Sequence, residues 1–261
     1  MSGLARFWKP AAAISLILGV LLFSSTWIHL GIPTLTGGHA VGRQEFVWTD
    51  PTRPEPGTQD LADHRQTGLV VWYPAQPATG SPAPYVPDLA GIRAGLIESG
   101  EFNSIEVAGL AWVRSRSFTH AVIAPSAASY PLLVLSPGNA TNVEFYGSLA
   151  EDLASNGYVV IGLNHPFQVT AMSLSDGSVA VYDATADTGP PGSAAPKIAE
   201  RAADVEFVLG RLAQEVTSGQ FLDGRVDLSR VGVLGHSNGG LTAAEVCRAS
   251  TRVTACMNID G

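Results

Sequence analysis

The feature that most constrains the fold is a regular alternation of short apolar runs and amphipathic segments in the second half of the chain. Buried-strand patterns at 132–136, 158–163 and 231–234 are separated by helical patterns at 143–155 and 194–216. Because parallel strands need long crossover connections, this order demands a mainly parallel sheet with helices on both faces. The sequence therefore predicts an α/β fold, in which active sites lie beyond the carboxyl ends of the strands.

One of these strand ends carries the motif Gly235-His236-Ser237-Asn238-Gly239, followed by a helix-compatible segment. Strand, G-x-S-x-G and helix in this order is the arrangement of a nucleophile elbow. We expect Gly235 and Gly239 to be required, because a side chain at either position would collide with the neighbouring strand or helix. The motif also arises by chance in glycine-rich chains, so its strand–turn–helix context is what makes Ser237 the candidate nucleophile.

A serine nucleophile needs partners, and the other strand ends supply some of them. Serine requires a base for its proton and hydrogen-bond donors for the oxyanion. The backbone N–H of Asn238 is one expected donor, and that of Asn139, in the sharp loop after the 132–136 strand, is the second. Asp260 ends the strand after the elbow, where an acid orients an imidazole and stabilises its charged form.

The base itself has no obvious candidate. In this architecture the order along the chain is Ser, Asp, His, and the sequence ends at Gly261. His165 follows a strand end but precedes the serine, so we expect it to line the site or brace a loop. Phe167, two residues further on, is expected to line the site. Because the base and the last two strands of such a sheet are missing, we expect the chain to be a C-terminally incomplete copy.

Size and charge exclude several other classes. The chain has 261 residues, 46% of them hydrophobic and 15% charged, which suits one globular domain, predicted at 41–261. A net charge of −8 argues against nucleic acid, which needs a basic surface. No nucleotide or metal motif is present, so no cofactor and no metal are expected. Two short amphipathic helices within 88–117 predict either a cap over the active-site face, which would suit a lipid surface, or ordinary crossover helices.

The N-terminus, residues 1–40, is predicted to be an export segment. Residues 11–30 contain no Asp, Glu, Lys or Arg, and Arg6 and Lys9 precede them. Such a segment is a secretory signal or a single membrane anchor, and either one places the rest of the chain outside the cytoplasm. That location permits a disulfide between Cys247 and Cys256, although two buried free thiols are the alternative.

Taken together, these stretches resemble the secreted type of platelet-activating factor acetylhydrolase and its bacterial relatives in the α/β-hydrolase superfamily. The similar stretches are 71–75, 130–138, 153–160, 235–240 and 258–260, which together cover most of residues 67–261. Their order and spacing carry the resemblance, above all the acid on the strand directly after the elbow strand.

The resemblance implies Ser237 as nucleophile, Asp260 as acid, and the N–H groups of Asn139 and Asn238 as the oxyanion hole. It also implies calcium-independent hydrolysis of short acyl esters, including acetyl groups on glycerophospholipids. The His165-Pro166 pair is more like the dienelactone-hydrolase branch, so an esterase for non-lipid esters, as among cutinase-like relatives, is an alternative. The absent base leaves a third interpretation, a catalytically dead hydrolase fold that acts as a binding module.

Overall fold

The computed structural model describes residues 14–19, 32–60, 62–183 and 195–261. The chain divides into two compact units, Met1–Pro33 and Thr34–Gly261. In the first unit, residues 14–19 are helical. The predicted anchor at 11–30 lies mostly outside the described residues, and within the described ranges no helix has the length and apolar character that crossing a bilayer requires.

The described part of the second unit contains an eight-stranded sheet and a separate two-stranded hairpin. The hairpin consists of the seventh and eighth strands in chain order. The strands are β1 (Ala40–Pro54), β2 (His64–Ala75), β3 (Ser81–Pro84), β4 (Arg114–Thr119), β5 (Tyr130–Ser136), β6 (Val159–Asn164), β7 (Ala171–Ser173), β8 (Val179–Val181), β9 (Val226–His236) and β10 (Ala255–Ile259).

The strand order of the large sheet is β10-β9-β5-β6-β2-β1-β4-β3. Strands β6, β5, β9 and β10 run parallel to one another, whereas β2 is antiparallel to both of its neighbours. The predicted α/β class with a mainly parallel sheet is therefore confirmed. Its parallel half is the half in which the sequence alternated most regularly between strand and helix.

Helices cover both faces of the sheet. Ala150 and Ala154, in the helix at 147–155, lie in one buried cluster with Trp72. Val205 and Val246, in the helices at 195–217 and 238–249, lie in a second cluster on the opposite face. Burying a valine side chain stabilises the fold by roughly 1.5–3 kcal/mol. The helices are α1 (Leu89–Glu98), α2 (Ser104–Leu110), α3 (Gly147–Ser155), α4 (Ala195–Thr217) and α5 (Asn238–Ala249).

The predicted helical cap at 88–117 needs one correction. Its two helices are present, and α2 begins with a capping box in which the Asn103 side chain and Glu106 satisfy each other's backbone N–H groups. The end of the range is not helical, because β4 starts at Arg114 and pairs in parallel with β1. The segment is short and polar, so its pairing partner, and not its own hydrophobic pattern, determines its structure.

A disulfide joins Cys247, near the end of α5, to Cys256 in β10, with 6.1 Å between the two Cα atoms. Of the two alternatives that the sequence left open, the structure has the bridge. It ties the helix that follows Ser237 to the strand that precedes Asp260.

Candidate active site

Three parallel strands end side by side at one edge of the sheet. In the register of these strands Ser136 of β5 is paired with Gly235 of β9, and His236 is paired with Ile259 of β10. The next residues along the chain are therefore neighbours as well, which brings the loop after β5, Ser237 and Asp260 to one place. This edge is where the fold positions ligands in sheets of this kind.

Ser237 occupies a sharp turn between β9 and α5. Its φ of 52° and ψ of −123° lie in a region that non-glycine residues rarely adopt. Two hydrogen bonds hold the turn. The N–H of Ser237 donates to the Ile259 carbonyl at 2.9 Å, and the carbonyl of Ser237 accepts from the N–H of Gly240 at 2.8 Å. The side chain is partly exposed and, within the described part of the chain, its hydroxyl has no hydrogen-bond partner. The hydroxyl is thus presented to the edge of the sheet and available for reaction.

The two motif glycines are at points of close approach. A Cβ on Gly235 would overlap the backbone of Gly239, and a Cβ on Gly239 would overlap the Ser136 carbonyl and lie 2.6 Å from that of Pro137. Real Cβ atoms do not approach backbone so closely, so both positions exclude a side chain. The strained conformation at Ser237 depends on this tight stacking of β9, α5 and the end of β5.

The two expected oxyanion donors are backbone N–H groups beside this turn. The N–H of Asn238 is the first of helix α5, where such groups have no intrahelical partner. The N–H of Asn139 follows β5, and in the described residues neither of these two groups donates a hydrogen bond. The Asn139 side chain is engaged elsewhere, because its Nδ2 donates to the Tyr182 hydroxyl at 2.7 Å. The backbone of Asn139, and not its side chain, is therefore the group free to bind a negative oxygen.

Asp260 follows β10 directly and is exposed, with a positive φ of 53°. The turn is fastened by Asn258, whose Oδ1 accepts from the N–H of Gly261 at 2.8 Å. Among the described residues, the carboxylate of Asp260 has no hydrogen-bond partner. It is therefore free to orient a neighbouring group beside Ser237.

No histidine in the described ranges hydrogen-bonds to Ser237 or Asp260. His236, next to the nucleophile, is turned to the Tyr146 hydroxyl, which lies 2.9 Å from its Nδ1. The candidate site therefore contains a presented serine, an available carboxylate and two free N–H groups, but the described residues do not place a base among them.

His165 lies beneath this edge and is completely buried. Its Nδ1 is 2.7 Å from Oδ2 of Asp204, and its Nε2 is 3.1 Å from Oγ of Ser136. Burial lowers the pKa of His165 to about 4, because its effect, to which the charges of Arg201 and Arg65 add, outweighs that of the hydrogen bond to Asp204. The ring is therefore neutral at pH 7. Since a carboxylate only accepts, Nδ1 carries the proton and Nε2 accepts from the Ser136 hydroxyl.

Asp204 stays ionised in this buried setting. Burial alone would raise the pKa of its carboxyl group, but the Arg65 guanidinium and the hydrogen bond from His165 hold that pKa far below its ordinary value. Two nitrogen atoms of Arg65 bind the carboxylate, at 2.8 and 3.2 Å. The carboxylate thus anchors the His165 ring and Arg65 together.

Ser136, His165 and Asp204 have the chemical order of a catalytic triad, yet all three are fully buried and no substrate can reach them. Of the two expected roles, lining the site and bracing a loop, His165 makes the contacts of a brace. Phe167 packs against a small buried cluster that includes Val169, and its ring lies close to Gly57. Phe167 is partly exposed, and its expected role in lining the site stays a prediction.

Sequence reasoning missed several residues that hold this region together. Arg201 and Asp204 are both completely buried, although charged residues on a helix are usually exposed. A signal for them existed, because they continue the apolar stripe of α4 at helical spacing with Ile198, Val205 and Val208. Tyr146 was missed because it lies in a short 3₁₀ turn before α3.

The sheet topology and the serine at the turn after β9 define the class: this is an α/β-hydrolase fold with the geometry of a nucleophile elbow. Among the described residues, no group of three His, Cys, Asp or Glu side chains is arranged to hold a metal ion.

Comparison with known proteins identifies the family. Residues 25–176 match the family model described as platelet-activating factor acetylhydrolase, isoform II, which is more than half of the chain. The chain therefore belongs to this family, and the resemblance seen in its sequence is confirmed. The matched range ends before Ser237 and Asp260.

Two relatives agree with this assignment. A probable 1-alkyl-2-acetylglycerophosphocholine esterase from Arthroderma benhamiae is 30% identical over 132 residues, which are 50% of this chain and 31% of that protein. A ferulic acid esterase from Streptomyces cinnamoneus is 32% identical with a TM-score of 0.71, over 88% of this chain and 62% of that structure. The chain thus spans about a third of the curated relative and under two thirds of the solved one.

Proposed function

We propose that the protein is a serine esterase that hydrolyses short acyl esters through an acyl-Ser237 intermediate. The observation that carries the proposal is the geometry at Ser237, a strained, partly exposed serine at the strand end where the N–H groups of Asn139 and Asn238 are left unbonded. Family membership supports ester hydrolysis as the class of reaction. The roles proposed for the individual residues rest on this geometry alone, because the matched range ends before Ser237 and Asp260.

In the proposed reaction, Oγ of Ser237 attacks the ester carbonyl carbon while its proton passes to a base. The negative oxygen of the tetrahedral intermediate accepts hydrogen bonds from the N–H groups of Asn139 and Asn238, which are fixed before the reaction begins. The intermediate collapses, the alcohol leaves with the proton from the base, and water then hydrolyses the acyl-Ser237 bond. Asp260 orients the base, a histidine that the described residues do not place.

Active-site labelling tests the nucleophile. The full-length protein should react with a fluorophosphonate probe, and Ser237→Ala should abolish labelling and reduce turnover by several orders of magnitude. Ser175→Ala is the matched control, because it removes the hydroxyl of an exposed serine far along the chain from the elbow. Undiminished labelling of Ser237→Ala would rule this serine out. A wild-type protein that resists labelling while correctly folded would favour the binding-module alternative.

For the substrate, we propose acetyl and other short acyl esters of glycerophospholipids. The family and the curated relative named as a 1-alkyl-2-acetylglycerophosphocholine esterase support this choice. A second candidate, an ester of an aromatic acid, is favoured by the likeness to a ferulic acid esterase. Specificity constants for acetyl, butyryl, octanoyl and feruloyl esters separate the two. Preference for the feruloyl ester over the acetyl glycerophospholipid would contradict the first choice.

We further propose that the protein acts outside the cytoplasm, exported by the N-terminal segment. The uncharged run at 11–30 after Arg6 and Lys9, and the disulfide between Cys247 and Cys256, support this location. Cell fractionation of the full-length protein and of a variant lacking residues 1–30 tests it. Equal recovery of both proteins from the cytoplasm would contradict export, and recovery from the membrane fraction would favour the anchor over the cleaved signal.

A further inference from the structure

The loop after β5, residues 137–140, is here called the donor loop, and its hydrogen bonding is nearly complete. Within the described ranges, each backbone N–H and C=O of these residues has a partner, with the single exception of the Asn139 N–H. Since backbone groups in such a largely buried loop are normally hydrogen-bonded, the unbonded Asn139 N–H is the exception. The partners are Arg201 for the carbonyls of Pro137 and Gly138, the Tyr146 hydroxyl for the Gly138 N–H, Thr141 for the Asn139 carbonyl, and Gln168 and Thr170 for Ala140.

Arg201 reaches the donor loop from helix α4. Its Nη1 donates to the Pro137 carbonyl at 2.6 Å, and its Nη2 is 3.5 Å from the Gly138 carbonyl. The same guanidinium donates to the side chain of Gln168 at 2.7 Å and to its carbonyl at 3.3 Å. Because the guanidinium is planar and its donors have fixed directions, these bonds fix the donor loop relative to the chain that follows β6.

Burying the Arg201 guanidinium costs free energy, so its position needs an explanation beyond packing. The residue is completely buried, and its hydrogen-bond partners are carbonyl and amide oxygens, none of them a carboxylate. Burial lowers the pKa of Arg201 to about 10; the negative charge of Asp204 offsets part of this effect, and the positive charge of Arg65 adds to it. Since a buried cation with neutral partners is unfavourable, packing alone does not explain it.

Tyr146 holds the donor loop from the other side. Its hydroxyl accepts from the Gly138 N–H at 3.1 Å and lies 2.9 Å from Nδ1 of His236. His236 immediately precedes Ser237. Both polar groups of the peptide between Pro137 and Gly138 are therefore hydrogen-bonded, its carbonyl to Arg201 and its N–H to Tyr146. Tyr146 also links this peptide to the turn that carries Ser237.

We propose that Arg201 and Tyr146 are positioning residues that hold the Asn139 N–H toward the oxyanion formed at Ser237. A peptide group is planar and trans, so fixing the Gly138 carbonyl on the Arg201 side directs the Asn139 N–H to the opposite side. A donor that is already oriented stabilises the transition state without reorganisation. The inference rests on the proposed esterase function and adds the residues that make its second donor rigid.

Steady-state kinetics of Arg201→Lys and Tyr146→Phe test the proposal, with Arg252→Lys and Tyr158→Phe as matched substitutions at exposed positions. Removing an oxyanion donor outright reduces kcat about 10²- to 10³-fold, so misaligning one should reduce it roughly 10- to 100-fold. KM should change less than about twofold, because the donor acts on the transition state and not on the bound ester. The affinity for phenylboronic acid, which forms a tetrahedral adduct with an active serine, should fall in parallel with kcat.

The opposite pattern would overturn the proposal. If kcat and boronate affinity are unchanged in both variants, or if only KM rises, the two residues do not position the donor. Should Arg201→Lys fail to fold, Tyr146→Phe decides alone, because it removes a single hydroxyl. Failure of the esterase function is distinguishable, since wild-type protein would then show no turnover that depends on Ser237.

Discussion

Replacing His165 by asparagine should change how the stability of the protein depends on pH. The folded protein holds the pKa of this ring at about 4, against an ordinary value of 6.5, because the ring is buried beside Arg201 and Arg65. Between these two pH values the unfolded chain binds a proton that the folded protein excludes. The contribution of His165 to the free energy of unfolding should therefore be fully present above pH 6.5 and be lost as the pH falls toward 4.

The size of the effect follows from the same two values. The gap between 6.5 and about 4 corresponds to roughly 3 kcal/mol, at about 1.4 kcal/mol per pH unit. Asp204 acts in a different window, because its pKa is held below the ordinary 3.8 and its contribution is lost only under more acidic conditions. Burial raises the pKa of Glu55 and Glu200, whose contributions have the opposite sign. The pH dependence that belongs to His165 is therefore read from the difference in unfolding free energy between wild type and His165→Asn.

The assay is urea unfolding of both proteins at a series of pH values from 4 to 7.5. Asparagine keeps a side-chain N–H for Asp204 but does not titrate, so the wild type should lose about 3 kcal/mol more than the variant across this range. The control is His120→Asn, because His120 is exposed and its φ of 57° suits asparagine. Parallel curves for wild type and His165→Asn would show that the folded protein does not exclude a proton from the buried ring, and would refute the prediction.

Two further changes follow from the geometry of the elbow. Gly239→Ala should lower the free energy of unfolding by at least about 1–3 kcal/mol and remove most of the activity, because its Cβ would overlap the Ser136 carbonyl. The control is Gly38→Ala, whose Cβ would meet nothing within 4 Å and which should leave thermal unfolding unchanged. Reduction of the disulfide should lower stability by roughly 2.5 kcal/mol, as the loop-entropy relation gives for a separation of 9 residues. The double variant Cys247→Ser/Cys256→Ser should show the lower urea midpoint with or without reductant, and an identical response of both proteins to reductant would contradict this.

The parts of the fold that the sequence predicted are those governed by local rules. The parallel strands and the helices between them were visible because apolar periodicity is strong in buried elements. The stretch that forms the β7–β8 hairpin shows no strand pattern long enough to predict it, and β4 falls at the end of the predicted cap. Both are short segments whose structure depends on distant partners, as in the pairing of β4 with β1, which no local pattern records.

The same division applies to the candidate site. The sequence by itself determined which serine is presented, because a tight turn between strand and helix needs glycines at fixed spacing around it, at Gly235 and Gly239. Only the tertiary structure decided that His165 is a buried brace and that Arg201 and Tyr146 hold the donor loop. Those contacts join residues up to 90 positions apart. Which partner a polar side chain meets depends on how the sheet and helices pack, and a single sequence does not encode that in any local pattern.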